Sequence, residues 1–120
     1  MILLGIDVGG TRMKAGLVDG DGRVLRQSSA STPEGVHVFQ QHLKSLAAQV
    51  LQNETPAGVG FGCKGIIEPE TTLVDRLPGA WRFLEGTHLK DALSDLLPPE
   101  TLVTADNDAK AALAGEVVWG

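Results

Sequence analysis

Near the start of the sequence, Asp7-Val8-Gly9-Gly10-Thr11-Arg12-Met13-Lys14 brings together a carboxylate, a diglycine, a hydroxyl and a cation. Glycines let backbone N–H groups face an anion, and Thr11 adds a hydroxyl donor. Asp7 could hold Mg²⁺, directly or through water. A plain hairpin with a Gly-Gly turn and solvated charges fits the same residues. The segment is not the Gly-x-x-x-x-Gly-Lys-Ser/Thr phosphate loop. Nor does it open a helix as a Gly-x-Gly-x-x-Gly turn does, because a strand pattern follows.

Near the other end, Asp106-Asn107-Asp108-Ala109 stands at the mouth of an alanine-rich stretch. Polar groups at a strand-to-helix junction are a usual place for a site in an α/β sheet. A helix N-terminus favours anions, so Asp108 should stay ionised there and could accept a proton from a substrate hydroxyl. An N-cap with an acidic first turn accounts for the same residues. Between these segments, glycines at 58, 60, 62 and 65 bare one face of a strand, for tight packing or for a ligand. Cys63 has no nearby histidine to act as base and reads as a small buried residue. His37, His42 and His88 fall in helical patterns with no metal-like pairing, as surface or packing residues.

These segments need a scaffold. Ile2 to Ile6 reads as a buried strand ending on Asp7. Arg12 to Val18 is a second strand. Asp19-Gly20-Asp21-Gly22 is a hairpin turn, and Arg23 to Ala30 a third, more polar strand. Short turns make these three an antiparallel meander. Thr32-Pro33 is the start signal of a helix spanning Glu34 to Asn53, with Phe39, Leu43, Leu46, Ala47, Val50 and Leu51 on one face and Pro56 as the stop. Gly58 to Cys63 is a strand, and Glu68 to Thr71 a hairpin tip. Thr87 to Leu97 is a short helix ended by Pro98-Pro99. Leu102 to Ala105 is the last strand, and a helix runs from Asn107 to about Val118. The result is one α/β domain with a mixed sheet. The apolar Val117-Val118-Trp119 suggests a chain cut within a longer protein, or an end that packs on something else and gives a homo-oligomer.

Composition narrows the function. Ten Lys+Arg against fifteen Asp+Glu give a net charge of −5, which disfavours a nucleic-acid module. One cysteine excludes an internal disulfide framework and a Cys-rich zinc site. With no signal-peptide pattern and no run near the roughly 18 apolar residues of a span, the expected location is cytoplasmic, away from membranes. Glycine, at 15 of 120 residues, exceeds the usual ~7%, so backbone must approach something closely.

Taken together, Asp7-x-Gly-Gly-Thr-x-x-Lys14 and Asn107-Asp108-Ala resemble the ROK family of sugar kinases and repressors, within the actin-like and hexokinase-like ATPases. Gly58-Val-Gly-Phe-Gly62 is similar to the family's Gly-x-Gly-x-Pro strand, and Leu77-Pro78-Gly79-Ala-Trp81 to its Leu-Pro-Gly-Trp segment. The resemblance covers the whole chain in order. It implies a ribonuclease H-like (actin-like ATPase) N-terminal domain, residues 1–120, with a mixed five-stranded sheet, an antiparallel three-strand meander and flanking helices. Asp7, Gly9, Gly10, Thr11 and Lys14 would then cradle the phosphates of ATP–Mg²⁺, with Asp7 near the metal. Asp108 would be the base on the sugar hydroxyl, and Gly65, Arg76, Asn107 and Asp108 would line the sugar. The implied activity is γ-phosphoryl transfer from ATP to a sugar, which asks mainly for positioning and charge neutralisation.

The chain departs from the family pattern in two places. Lys64-Gly65 replaces Pro-Gly, and Arg76 stands where an Asn that contacts the sugar precedes Leu-Pro-Gly-Trp, with Ala80 inserted before Trp81. A cation at 76 would suit an acidic or phosphorylated sugar; a solvated loop arginine is an equal account. The family's second domain, with its adenosine pocket, sugar clamp and zinc site, is not in these residues, so the chain alone is expected to be inactive. The repressors' helix-turn-helix is likewise not in them, which tilts the reading to the kinases. A sugar sensor or regulator without catalysis, and an ATPase activator of the BadF/BcrA type, are the alternatives.

Overall fold

The N-terminal apolar run forms β1, Ile2–Val8. It is apolar nearly throughout because it lies inside the sheet, between an antiparallel neighbour and a parallel one. The antiparallel neighbour is β2, Arg12–Asp19, which turns through Asp19 to Gly22 into β3, Val24–Ser31. The computed structural model describes residues 1–9, 11–33, 35–63, 66–67, 71–76 and 85–106, apart from the side chains of 66, 67, 75 and 76. After β3 come helix α1, Val36–Leu51, and strand β4, Gly58–Cys63, parallel to β1. Strands β5, Ile66–Ile67, and β6, Val74–Arg76, form a separate two-stranded ribbon. A 3-10 helix, Leu89–Leu93, leads to β7, Leu102–Asp106, parallel to β4. The main sheet has the order β3-β2-β1-β4-β7: a three-strand meander extended by two parallel strands, as the sequence implied. The expected helix over 107–118 and most of the 68–71 hairpin tip lie outside the described residues.

Side-chain alternation divides the sheet into two faces. Leu4, Ile6 and Val8 of β1, with Met13, Ala15 and Leu17 of β2 and Val59 and Phe61 of β4, join one buried core with Phe39, Leu43, Leu46, Ala47, Val50 and Leu51 of α1. The helical spacing of those six residues is what lets α1 cover this face. The other face differs. Its central row runs Gln27, Gly16, Gly5, Gly60, Thr104, so three adjacent strands meet as glycines. Those three glycines are buried. The glycine excess therefore gathers on one side of the sheet, where the backbone comes close to whatever covers it.

Three sequence expectations need correction. Thr32 does not cap α1. The helix begins at Val36 after Gly35, whose φ of 95° suits glycine alone, and no side chain caps it. Pro33 disfavours helical geometry at the residue before it, so Thr32 continues the extended path of β3. At the other end α1 stops at Leu51, with Gln52 and Asn53 left-handed at φ 49° and 68°, ahead of Pro56.

The leucine-rich Thr87 to Leu97 segment is not an α-helix. It holds a five-residue 3-10 helix followed by turns, closed by i→i−3 bonds such as Leu96 N–H to the Leu93 carbonyl at 2.9 Å. Thr72, fully buried with φ 59°, fixes its start. The Thr72 hydroxyl accepts the Lys90 N–H at 3.0 Å and its carbonyl the Leu89 N–H at 3.1 Å. Pro98 and Pro99 donate no backbone hydrogen bond and disfavour helical geometry ahead of them, which keeps the segment short. His88, expected on that helix, sits just before it, bridged to Leu73, with Nδ1 2.9 Å from the Thr71 carbonyl.

Candidate functional site

The sequence candidates on β1 and β2 come together through strand register. Asp7 pairs with Lys14 across β1 and β2, and with Gly62 across β1 and β4; Gly62 pairs with Asp106 across β4 and β7. Lys14 in turn faces Ser29 of β3. Residues directly opposite in a sheet share a face, so Ser29, Lys14, Asp7, Gly62 and Asp106 form one row. The row lies at the carboxyl ends of β1, β4 and β7, on the glycine face. Carboxyl ends of strands are where open α/β sheets bind ligands. Asp7 is half-buried, while Lys14 and Asp106 are exposed. Two strand spacings put the backbones of Asp7 and Asp106 about 10 Å apart, with only a glycine between them.

The loop after β1 is tied at several points. The Gly9 N–H donates to the Arg12 carbonyl at 2.9 Å. A Cβ on Gly9 would come within 2.7 Å of that same oxygen, so the close approach that requires glycine here is to the chain's own backbone. The Thr32 hydroxyl donates to the Gly9 carbonyl at 3.0 Å, and the Thr32 N–H donates to the Thr11 carbonyl at 2.9 Å. Arg12 extends along β3 and donates to the Ser29 hydroxyl at 2.9 Å. Thr11 itself is exposed at the turn. Thus a carboxylate, two cations and a hydroxyl gather at one rim, around a loop held from behind by β3. Backbone loops of this kind, with cations alongside, suit a polyanion.

Cys63 ends β4, paired with Val8. It is buried, and burial pushes its thiol up to about 11, which makes it an inert packing group rather than a nucleophile. His37 and His42 are exposed on α1. Among the described residues no cluster of three metal-ligating side chains occurs. No helix there is long and apolar enough to cross a membrane. A cleft of about 460 Å³, lined in part by Lys90, Ser94, Pro98, Glu100 and Leu102, opens beside the start of β7. Four residues of strand, about 13 Å, separate that start from Asp106, so the cleft and the carboxylate row are different places.

Gly10, Gly65, Asn107 and Asp108 lie outside the described residues, as do Lys64, the segment 77–81 and 117–119. Arg76 is described only as backbone, at the end of β6. Two residues of the rim were missed in the sequence: Thr32, read as a helix cap, and Ser29. The hairpin itself signals that the end of β3 returns towards the loop after β1, but the slip in pairing between Leu17 and Val18 hid which residues of β3 face it.

Comparison with known proteins decides the family. A sequence model of the ROK family matches residues 3–120. The chain belongs to the ROK family. The glucokinase of Streptomyces coelicolor is 29% identical over 99% of this chain, and that of Thermotoga maritima 30% identical over 98%. The chain spans only 36% and 37% of their lengths. A crystal structure of a ROK family glucokinase from Streptomyces griseus, in complex with glucose and AMPPNP, superimposes with a TM-score of 0.76 at 28% identity, covering 97% of this chain and 36% of that one. The ROK chain therefore has the actin-like ATPase fold of this family's sugar kinases, and its match lies in about a third of their length.

Proposed function

We propose that this chain is the N-terminal domain of an ATP-dependent sugar kinase of the ROK family, working on a hexose of the glucose type. The observation that carries the reading is the cross-strand row. It sets the Asp7 loop and the strand leading directly into Asn107-Asp108 at one rim, with only β4 between them. In this reading the loop from Asp7 to Lys14 receives the nucleotide phosphates, with Gly9 and Gly10 shaping the backbone, and Thr11 and Lys14 supplying a donor and a charge. Asn107, Gly65 and Arg76 line the sugar. The carboxylate of Asp108 takes the proton of the acceptor hydroxyl while that oxygen bonds to the γ-phosphorus and the bond to the ADP oxygen breaks.

Asp7 fits a Mg²⁺ partner. It offers one half-buried carboxylate beside a phosphate loop, and Mg²⁺ commonly takes one or two carboxylates, with water and phosphates completing its shell. When bound, the ion neutralises charge on the phosphates. A kinase needs a second wall for adenosine, which the remaining two thirds of the family's length would supply. The domain is proposed to act in that larger protein, in the cytoplasm, and to have negligible turnover alone.

The test is a panel of hexoses and acidic or phosphorylated sugars, assayed for ADP release with the 120-residue chain and with a protein of the family's full length that contains it. The expected outcome is hexose-dependent ADP release by the longer protein only. Robust turnover by the chain alone, or none by the longer protein with any sugar, contradicts the proposal.

A further inference from the structure

We infer that Thr32 is a positioning residue of the phosphate-binding loop, acting through the Gly9 and Thr11 carbonyls. The inference rests on the proposed reading of that loop. Thr32 follows β3 and is half-buried. It makes two bonds into the loop, one from its hydroxyl to the Gly9 carbonyl and one from its N–H to the Thr11 carbonyl, at 3.0 and 2.9 Å. The Gly9 N–H is bonded to the Arg12 carbonyl at 2.9 Å, so the loop is anchored on both sides of Gly9.

The chemistry follows from the sign of a carbonyl dipole. A loop that receives a polyanion must offer N–H groups and keep carbonyl oxygens away, because those oxygens repel phosphate. Thr32 draws both oxygens towards β3. The loop is then held before the ligand arrives, and no reorganisation is needed on binding. Pro33 holds Thr32 in the extended geometry that both bonds require.

Thr32→Val keeps the shape and the backbone bond but removes the hydroxyl donor; Thr32→Ser keeps the donor. The probe is Mg²⁺–tripolyphosphate, which offers phosphates without adenosine, titrated into the 120-residue chain in the millimolar range. Backbone amide shifts at Gly9, Thr11 and Arg12 report binding, and melting temperature reports stability. Wild type and Thr32→Ser should bind within about twofold of each other. Thr32→Val should bind about five- to tenfold more weakly, the size of one lost hydrogen bond, with core resonances such as Phe39 and Leu43 unchanged. Equal binding by Thr32→Val and wild type overturns the role of Thr32 and leaves the loop reading standing. Equal weakening of both variants, in step with melting temperature, also overturns it, as a purely structural role. No shift at the loop amides in wild type overturns the loop reading and this inference with it.

Discussion

Asp7 and Asp106 stand in the same cross-strand row, two strands apart, with Gly62 between them. This relationship links the two ends of the sequence. Asp7 is the penultimate residue of the first strand, and Asp106 ends the last described one, two residues before Asp108. Sheet register alone therefore carries a chain start and a segment about a hundred residues later to one rim, and the glycine leaves the space between the carboxylates without a side chain.

Gly9 is held by sterics as much as by any ligand. A methyl there would lie 2.7 Å from the Arg12 carbonyl, a backbone atom that cannot move without opening the β1–β2 turn. Gly9→Ala is expected to cost about 1–3 kcal/mol, the range of an overpacked site. Urea denaturation should show a lower midpoint with an unchanged slope. Stability equal to wild type would show that the turn has room.

Arg26 joins β3 to the end of α1. Its Nε donates to the Val50 carbonyl at 2.8 Å, its Nη2 to the Leu51 carbonyl at 3.2 Å, and the same Nη2 pairs with Glu54. These carbonyls belong to the last turn of the helix, where a cation also complements the dipole. Arg26→Ala is expected to destabilise by about 1–2 kcal/mol. Arg26→Lys should recover only part, because one ammonium cannot reproduce the planar fork. Thermal melts of the three proteins decide it.

Cys63 provides a pH test. Burial raises its thiol from the ordinary value of 9.0 to about 11, so the folded chain holds this proton more tightly than the unfolded chain. The group's contribution to stability is complete below pH 9 and is lost as pH rises from about 9 to 11. Cys63→Ala should flatten that alkaline fall. In the native chain at pH 7.5, alkylation of Cys63 by iodoacetamide should be much slower than in urea. Equal rates would place the thiol at the surface.

The sequence made the scaffold legible where one local pattern decided one element. The apolar run of β1, the Asp-Gly turn and the six helical positions of α1 needed no tertiary information. Register was not legible in this way. The pairing of β2 with β3 slips by one residue between Leu17 and Val18, leaving Val24 and Leu25 both exposed, and no local signal marks that bulge. The Thr32-Pro33 pair satisfies two rules at once, a helix start and an extended residue before proline, and the tertiary bonds to Gly9 and Thr11 chose the second. The leucines from 89 to 97 have helical spacing, yet the prolines after them and the Thr72 anchor before them hold the segment to 3-10 geometry. At the site, the types Asp, Gly, Thr and Lys were visible in sequence. The row that aligns Asp7, Gly62 and Asp106 emerges only from two strand pairings together, β1 with β4 and β4 with β7.

The most direct test of the account is Asp108→Asn in a protein of the family's full length that contains this domain, with phosphorylation rate and sugar affinity both measured. Loss of a base that takes the hydroxyl proton should lower kcat by about 10²- to 10⁴-fold and leave sugar binding within about threefold. A variant that keeps kcat within about threefold of wild type would contradict a shared rim for phosphate and proton transfer.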